Sequence, residues 1–290
     1  MRIAVTAVLI AASSGLAAAS SVAWLSYPGS ARSLAQAGGL GVMTEGAESL
    51  GLNPAGLADL DSGMEAQVSY AQWPAEIDTQ GGLIAFRSGD AGFGARFNYV
   101  DYGTVQGYNE SLQADGSLHP SDYDAVVGAA WRFGDLALGA AGHWLEESLT
   151  PQVYGSSPAF EAGAKLGLSP RVVTSVSLLD AGSTLNGSGL PTSVRGGIMV
   201  QSLENNAWSA GLEASFPLAG GLQPDVYLAG RWQAAGALAL FGGLGILGNN
   251  AGDFETLGAS FEFRQLALDY GFRSAGAVGV VNELSLRLNV

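Results

Sequence analysis

The chain of 290 residues contains no cysteine. This absence excludes disulfide bonds, thiolate metal sites and cysteine nucleophiles. Histidine is nearly as scarce, since His119 and His143 are the only two, and they lie far apart without a carboxylate at a spacing typical of a metal site. The sequence also shows no grouping of nucleophile, base and orienting residue. We therefore predict that the chain is not an enzyme and that it holds no metal and no cofactor.

Charged residues are scarce as well, at 13% of the chain, whereas 43 glycines and a mean hydropathy of +0.23 give it an apolar character. A soluble protein usually carries more charged residues, which water solvates at its surface. This composition therefore favours an outer surface in contact with membrane lipid. The net charge of −14 argues against a nucleic-acid partner, because the phosphates would repel it.

Long apolar runs are missing too. The nearest candidate for a spanning helix, Ala234 to Gly248, is short and rich in glycine, while a membrane helix needs about 20 apolar residues. A membrane protein without spanning helices has one remaining solution, a closed β-barrel in which the backbone groups pair between strands.

Residues 1–19 have the order of a secretory signal peptide. Arg2 gives the basic start, Ile3 to Ile10 form the apolar run, and Ala17-Ala18-Ala19 are the small residues before a cleavage site. We predict cleavage near Ala19, so that fold reasoning begins at residue 20.

Beyond residue 63, apolar and polar residues alternate with the period of two that is typical of β-strands. Fourteen such runs follow one another, with no linker or change of composition between them. They are Met64–Trp73, Gln80–Arg87, Ala91–Tyr99, Tyr123–Phe133, Leu136–Leu145, Ala159–Leu168, Val172–Leu179, Ser193–Gln201, Ala207–Phe216, Asp225–Trp232, Ala237–Ile246, Phe254–Arg264, Leu266–Arg273 and Asn282–Val290.

The spacers between the runs differ systematically in length. Even-numbered runs are followed by short spacers such as Gly134–Asp135, and odd-numbered runs often by long ones, namely Val100–Asp122, Glu146–Pro158 and Asp180–Thr192. Tight turns at one rim, longer loops at the other and an even strand count are typical of outer-membrane barrels, whereas a soluble β-sandwich needs no such alternation. We predict an all-β fold, a 14-stranded antiparallel transmembrane β-barrel in the bacterial outer membrane with both termini in the periplasm.

The two faces of the runs differ in chemistry. In the last three runs one face is apolar, and we expect it to meet lipid; aromatic residues near run ends on the apolar face fit an aromatic girdle. These aromatic residues are Trp131, Phe133, Trp144, Trp208, Phe216 and Trp232.

The opposite face carries charges, which we expect to point into the lumen. Nine of the twelve basic residues belong to it, so the lumen is predicted to be locally basic. A basic lumen suits a passage for a ligand with an anionic head, and the alternative is structural pairing across strands. The predicted inward charges are Arg87, Arg96, Arg132, Lys165, Arg195, Arg231, Arg264, Arg273 and Arg287, together with Glu65, Glu161, Glu213, Glu262, Asp269 and Glu283.

A glycine-rich segment, Gly29 to Asp61, precedes the first run. Its motifs Ala31-Arg32-Ser33-Leu34, Gly38-Gly39-Leu40 and Asn53-Pro54-Ala55-Gly56-Leu57-Ala58, with Leu268-Asp269-Tyr270-Gly271-Phe272 near the end of the chain, resemble the PorV/PorQ family of FadL-like outer-membrane barrels. Ala37 and the terminal Val290 depart from that family's pattern.

The resemblance implies that residues 20–63 form a hatch inside a barrel of residues 64–290. Its motif residues would be Arg32, Gly38, Gly39, Asn53, Pro54, Ala55, Gly56 and Leu57, with a turn at Asn53–Gly56 in which Gly56 permits a positive φ. FadL relatives pass hydrophobic molecules, whereas PorV and PorQ relatives resemble parts of type IX secretion machinery.

Two functions therefore stay open. The first is a channel for a small hydrophobic or amphipathic ligand, and the second is a secretion component that binds a protein partner. An apolar pocket beside the hatch would favour the channel, because a hydrophobic ligand must bury its surface against apolar side chains.

Overall fold

The computed structural model describes residues 23–27, 29–61, 63–108, 114–150, 153–204, 207–218, 223–248, 252–274 and 279–290. The predicted signal peptide lies outside these residues and stays a prediction. Among the described residues, no helix is long and apolar enough to cross a bilayer.

Fourteen antiparallel strands close into one barrel, in which the first strand pairs with both the second and the last. Its strands are β1 (Met64–Gln72), β2 (Asp78–Ser88), β3 (Ala91–Asp101), β6 (Ser121–Phe133), β7 (Leu136–Thr150), β8 (Val153–Ser169), β9 (Val172–Gly182), β12 (Ser193–Gln201), β13 (Trp208–Pro217), β14 (Asp225–Ala235), β15 (Leu238–Ile246), β16 (Phe254–Phe263), β17 (Leu266–Ser274) and β18 (Val280–Asn289). Two short hairpins lie in the longer connections, β4 (Val105–Tyr108) with β5 (Ala114–Leu118), and β10 (Thr184–Leu185) with β11 (Ser188–Gly189).

All fourteen predicted runs form barrel strands, which confirms the predicted fold class. The prediction of a long loop at Glu146–Pro158 is wrong, because β7 continues to Thr150 and β8 begins at Val153. Polar contacts hold this extension together, as Tyr154 donates its hydroxyl hydrogen to Glu146 at 2.7 Å. Strand pairing thus continues past the point where the alternation of apolar residues ends.

The outer face of the barrel is apolar, as predicted. Val68, Leu257 and Leu284 on this face are 60%, 63% and 52% exposed. Such a surface is stable when lipid rather than water covers it. The six predicted girdle residues also lie exposed on the outer face, and Trp208 pairs with Trp232 across β13 and β14.

Residues 23–27 and 29–61, which we call the N-terminal segment, lie inside the barrel against its inner wall. The segment contains one short α-helix, α1 (Ala31–Ala35), and three 3-10 helices, η1 (Ala23–Ser26), η2 (Gly46–Ser49) and η3 (Pro54–Asp59); a fourth, η4 (Pro74–Glu76), joins β1 to β2. Ser30 caps α1, since its hydroxyl oxygen accepts a hydrogen bond from the Ser33 N–H at 3.1 Å. Most of the segment is buried against the barrel wall. A segment this short has no hydrophobic core of its own, so side chains of the wall bury its apolar residues.

Apolar packing joins the segment to the wall at two levels. Around η3, Leu50 and Leu57 pack with Leu83 and Val126 of the wall. Near the rim with the longer loops, a second group that we call the upper apolar cluster joins the segment to the β10–β11 hairpin; it consists of Leu25, Leu145, Ala159, Leu185 and Leu190, with Trp24 packed against them.

Candidate functional site

Asn53 begins η3 and fastens it to the wall. Its Oδ1 accepts a hydrogen bond from the Ala55 N–H at 3.1 Å, which caps the helix. Its Nδ2 donates to the carbonyl oxygens of Ala164 and Val176 at 3.2 and 3.4 Å. One buried side chain therefore joins the segment to β8 and β9.

Glycines in the wall make room for this motif. A β-carbon at Gly139 would overlap the Pro54 backbone, and one at Gly163 would overlap the Asn53 amide. The prediction that Gly56 adopts a positive φ is wrong. Gly56 is required for a different reason, since a β-carbon there would lie 2.6 Å from the Thr44 carbonyl oxygen.

The other predicted motif residues shape the start of the segment. Gly38 and Gly39 turn the chain after α1 with φ of 83° and 90°, values that favour glycine. Arg32 contacts Glu48 at 2.8 Å. Burial alone would lower the pKa of the Arg32 guanidinium, but the Glu48 carboxylate raises it above its ordinary value. This ion pair stabilises the segment internally.

Polar side chains of the wall bind backbone groups of the segment along its length. Arg96 donates to the Leu50 carbonyl oxygen at 2.5 Å, and Lys165 donates to that of Thr44 at 3.0 Å. In addition, the Ala31 N–H donates to the Ser285 hydroxyl oxygen at 2.9 Å. Backbone groups in the middle of the barrel thus find hydrogen-bond partners although little water reaches them.

Tyr27 makes a similar contact near the start of the segment. Its hydroxyl group donates to Glu283 at 2.6 Å. Burial and the neighbouring Glu283 carboxylate raise the pKa of Tyr27 well above its ordinary value, so the phenol remains a donor. Glu283, predicted to face the lumen, therefore holds the segment.

Most of the predicted lumen charges are paired, and the pairing alternative has the better support. Four arginines form ion pairs: Arg96 with Asp124 at 2.6 Å, Arg132 with Asp59, Arg195 with Glu213 at 3.7 Å, and Arg287 with both Glu262 and Asp269 at 3.4 Å. Arg231 donates a hydrogen bond to Gln233 at 3.2 Å. The Arg273 guanidinium stacks 3.7 Å from the centre of the Phe254 ring.

Two predictions about these charges are wrong. Arg264 does not face the lumen; it lies exposed in the β16–β17 turn with φ of 58°, and its guanidinium lies 5.4 Å from the Phe263 ring centre. The lumen is also not basic, because Asp122, Asp124 and Glu147 are buried on the inner face too. Asp122 and Glu147 lie on strand extensions beyond the predicted runs, whereas Asp124 lies within the run Tyr123–Phe133 and was overlooked.

His143 has carboxylate partners, contrary to the sequence prediction. Its Nδ1 lies 3.0 Å from Asp124 Oδ1, and its Nε2 lies 3.1 Å from Glu161 Oε1. These partners are 19 and 18 positions away in sequence, and strand pairing brings them together. The pairing register of the neighbouring strands, which a single sequence does not specify, would have revealed this cluster.

Two cavities lie under the segment towards the rim with the short turns, with volumes of about 410 and 420 Å³. Asp61 lines both, with Arg132 and Lys165 in the first and Arg231 and Arg287 in the second. Charged groups therefore dominate these cavities, unlike the apolar pocket that the channel hypothesis expects. The upper apolar cluster lies towards the opposite rim.

Solved structures with a similar fold exist. The Pseudomonas putida toluene transporter TodX matches with a TM-score of 0.64 and 14% identity over 89% of this chain and 95% of that one. The CymD monoaromatic hydrocarbon channel matches with a TM-score of 0.64 and 15% identity over 90% and 97% of the two chains. A Pseudomonas aeruginosa FadL homologue gives 0.57 and 12% over 89% and 98%.

The chain therefore shares its fold with these three solved structures. The expected location in the bacterial outer membrane agrees with this fold and with the apolar outer face. No protein-family model and no curated protein matches the chain. The narrower resemblance to PorV and PorQ stays a prediction.

Proposed function

We propose that this protein is an outer-membrane channel for small hydrophobic molecules and that the N-terminal segment is its hatch. The observation that carries the proposal is a closed fourteen-stranded barrel whose lumen holds its own N-terminal segment. Structures with the same fold include a toluene transporter and a monoaromatic hydrocarbon channel. These names suggest the ligand class, and they describe neighbouring channels rather than enzymes.

The upper apolar cluster supplies the first binding surface in this proposal. Leu145 and Leu185 are fully buried there, and Trp24 covers the group. A small apolar solute that displaced Trp24 would bury its surface against these side chains, which contributes about 25 cal/mol per Å² of apolar area. The aliphatic lining favours a neutral hydrocarbon over a ligand with an anionic head, since the inward arginines are already paired.

The hatch must then shift to open a path, and its attachment suits a reversible movement. Arg96, Lys165 and Asn53 hold it largely through hydrogen bonds between side chains and backbone groups. Each such bond contributes a net of about 0.5–1.5 kcal/mol, or about 1.5–3 kcal/mol where one group is charged. Water that enters the lumen replaces them, so the hatch can move without unfolding the barrel.

Uptake of radiolabelled toluene tests the proposal. Cells that lack a hydrocarbon channel in their outer membrane would express the full chain or a variant without residues 29–61. We expect the full chain to raise toluene uptake above that of cells with an empty vector. The shortened variant should admit toluene and also a small polar dye, because its lumen is open.

Dye entry shows that the shortened barrel is folded and inserted. Toluene uptake by cells with the full chain no higher than that of empty-vector cells, although the full chain is present in the outer membrane, would refute the channel function. That result would leave the PorV/PorQ-like alternative, in which the chain binds a secretion partner, and co-purification of a protein with the external loops would then support it.

A further inference from the structure

Four neighbouring strands place polar side chains at one level of the inner wall. Asp124 comes from β6, His143 from β7, Glu161 from β8 and Asp180 from β9. Ligand atoms of His143, Glu161 and Asp180 all lie within 4.8 Å of one another. The proposed channel function uses none of these groups, so their convergence requires its own explanation.

The imidazole of His143 is oriented by its neighbours. Asp124 Oδ1 lies 3.0 Å from Nδ1, and Arg96 binds the other oxygen of Asp124 at 2.6 Å. A carboxylate at Nδ1 favours the neutral tautomer that carries its hydrogen there, which leaves a lone pair on Nε2. The same arrangement of carboxylate and histidine orients metal-binding imidazoles.

The carboxylate of Glu161 is also oriented by a hydrogen bond. Its Oε2 accepts a hydrogen bond from the Gly51 N–H at 3.0 Å. Its Oε1 lies 3.1 Å from His143 Nε2, yet neither atom has a hydrogen-bond partner of acceptable geometry among the described residues, although both are buried. Two ligands of one tetrahedral zinc ion lie about 3.3 Å apart and point at the ion rather than at each other.

Asp180 completes the group through an irregularity of β9. The β8–β9 register shifts between Phe160 and Ala162, which places Leu179 and Asp180 in a bulge, and Asp180 has a φ of 51°. A residue other than glycine adopts this conformation at a cost. Bulges redirect side chains next to functional sites, and this one brings the Asp180 carboxylate to His143 and Glu161.

We propose that His143, Glu161 and Asp180 bind a divalent transition-metal cation of the Zn²⁺ class. Asp124 and Arg96 position the imidazole without touching the ion. One imidazole and two carboxylates are ligands that Zn²⁺ accepts, and three protein ligands leave a fourth position open. The half-buried Asp180 gives access from the lumen.

Charge balance favours a cation over a protonated histidine. Three carboxylates and one guanidinium carry a formal charge of −2 at this level of the wall, from Asp124, Glu161, Asp180 and Arg96. A proton on His143 would reduce the imbalance by one, whereas a divalent cation bound to the neutral imidazole removes it entirely. Uncompensated buried charge is costly.

Zinc binding to the full chain tests the proposal. The purified barrel in detergent would be stripped with a chelator and titrated calorimetrically with Zn²⁺ alone. We expect one high-affinity ion per chain, and at least tenfold weaker binding to His143→Gln and Asp180→Asn. Asparagine tolerates the left-handed conformation at position 180, so this variant changes the ligand with little effect on the backbone. His119→Gln is the matched control, and it should bind zinc as the unaltered chain does.

Two further measurements keep the result interpretable. Heat-dependent migration on a denaturing gel shows whether each variant forms a barrel. X-ray absorption at the zinc edge of the unaltered protein should show nitrogen and oxygen ligands in numbers that fit one imidazole and two carboxylates. Equal zinc affinity of the unaltered chain and both site variants would overturn the proposal, and so would binding that disappears in His119→Gln.

Discussion

Asn53 of the N-terminal segment and Gly163 of β8 are in such close contact that a β-carbon at position 163 would overlap the Asn53 amide. A second contact of this kind joins Pro54 to Gly139 of β7. Asn53 uses the resulting proximity to donate to the carbonyl oxygen of Ala164 at 3.2 Å. The Asn53-Pro54 motif of the N-terminal segment and the glycines of the wall therefore form one interface.

The first prediction concerns this interface. Gly139→Val should destabilise the folded protein by about 1–3 kcal/mol, the usual cost of overpacking, because the new side chain displaces Pro54. Thermal unfolding in detergent, followed by circular dichroism and gel migration, measures the effect. Gly142→Val on the same strand is the control, since a β-carbon there has no atom within 4 Å. Equal unfolding temperatures for the two variants would show that the N-terminal segment does not pack tightly against β7.

The barrel could be predicted from sequence because it depends on a local signal. Alternation of residues reports which face meets lipid, and short turns such as Gly134–Asp135 separate consecutive strands. The strand count and the outward position of Leu257 and Leu284 followed from these two features. Arg264 was misplaced because a turn begins there and breaks the alternation.

The His143 cluster could not be predicted in the same way. Its members lie on four different strands, and the spacing along the chain carries no sign of their proximity. The bulge at Asp180 is not visible in the sequence either, since it depends on the register between β8 and β9. Contacts across strands require the pairing register, which a single sequence does not specify.

The second prediction compares Arg96 and Arg264, both of which were predicted from the sequence to face the lumen. Arg96→Met should lower stability by about 3–5 kcal/mol, because it removes the guanidinium from the buried Asp124 carboxylate and leaves the Leu50 carbonyl without this donor. Arg264→Met should leave the unfolding midpoint unchanged, because its side chain is exposed. Denaturant titration of both variants checks the contrast. A loss of stability in Arg264→Met equal to that in Arg96→Met would contradict the assigned positions.

The third prediction asks whether the hatch must move for uptake. The Val42 β-carbon lies 3.2 Å from a β-carbon built at Gly197 of β12, close to the range of about 3.5–4.5 Å that disulfides require. The double variant Val42→Cys and Gly197→Cys should therefore form a cross-link, and the absence of native cysteine prevents mispairing. Oxidation should reduce toluene uptake to the background level, and a reductant should restore it.

Two controls accompany this experiment. The single variant Gly197→Cys tests whether a side chain at this position blocks the channel by itself. Mass spectrometry establishes that the cross-link has formed. Full toluene uptake through the cross-linked barrel would mean that the hatch stays in place around Val42 during transport, and the opening would then have to occur elsewhere.

The last prediction concerns the effect of metal removal on the wall. His143, Glu161 and Asp180 belong to three consecutive barrel strands, so an ion bound to all three links β7, β8 and β9. A ligand that binds only the folded state stabilises it by about 2.7 kcal/mol at a concentration 100 times its dissociation constant. Zinc should therefore raise the unfolding temperature of the unaltered chain and slow amide exchange at Ala181 and Gly182, beside the strained bulge. A chelator should reverse both effects, and Asp180→Asn should show both to a clearly smaller extent, whereas His119→Gln should respond as the unaltered chain does. If zinc raised the unfolding temperature of Asp180→Asn equally, the ion would be bound elsewhere and the bulge would need another explanation.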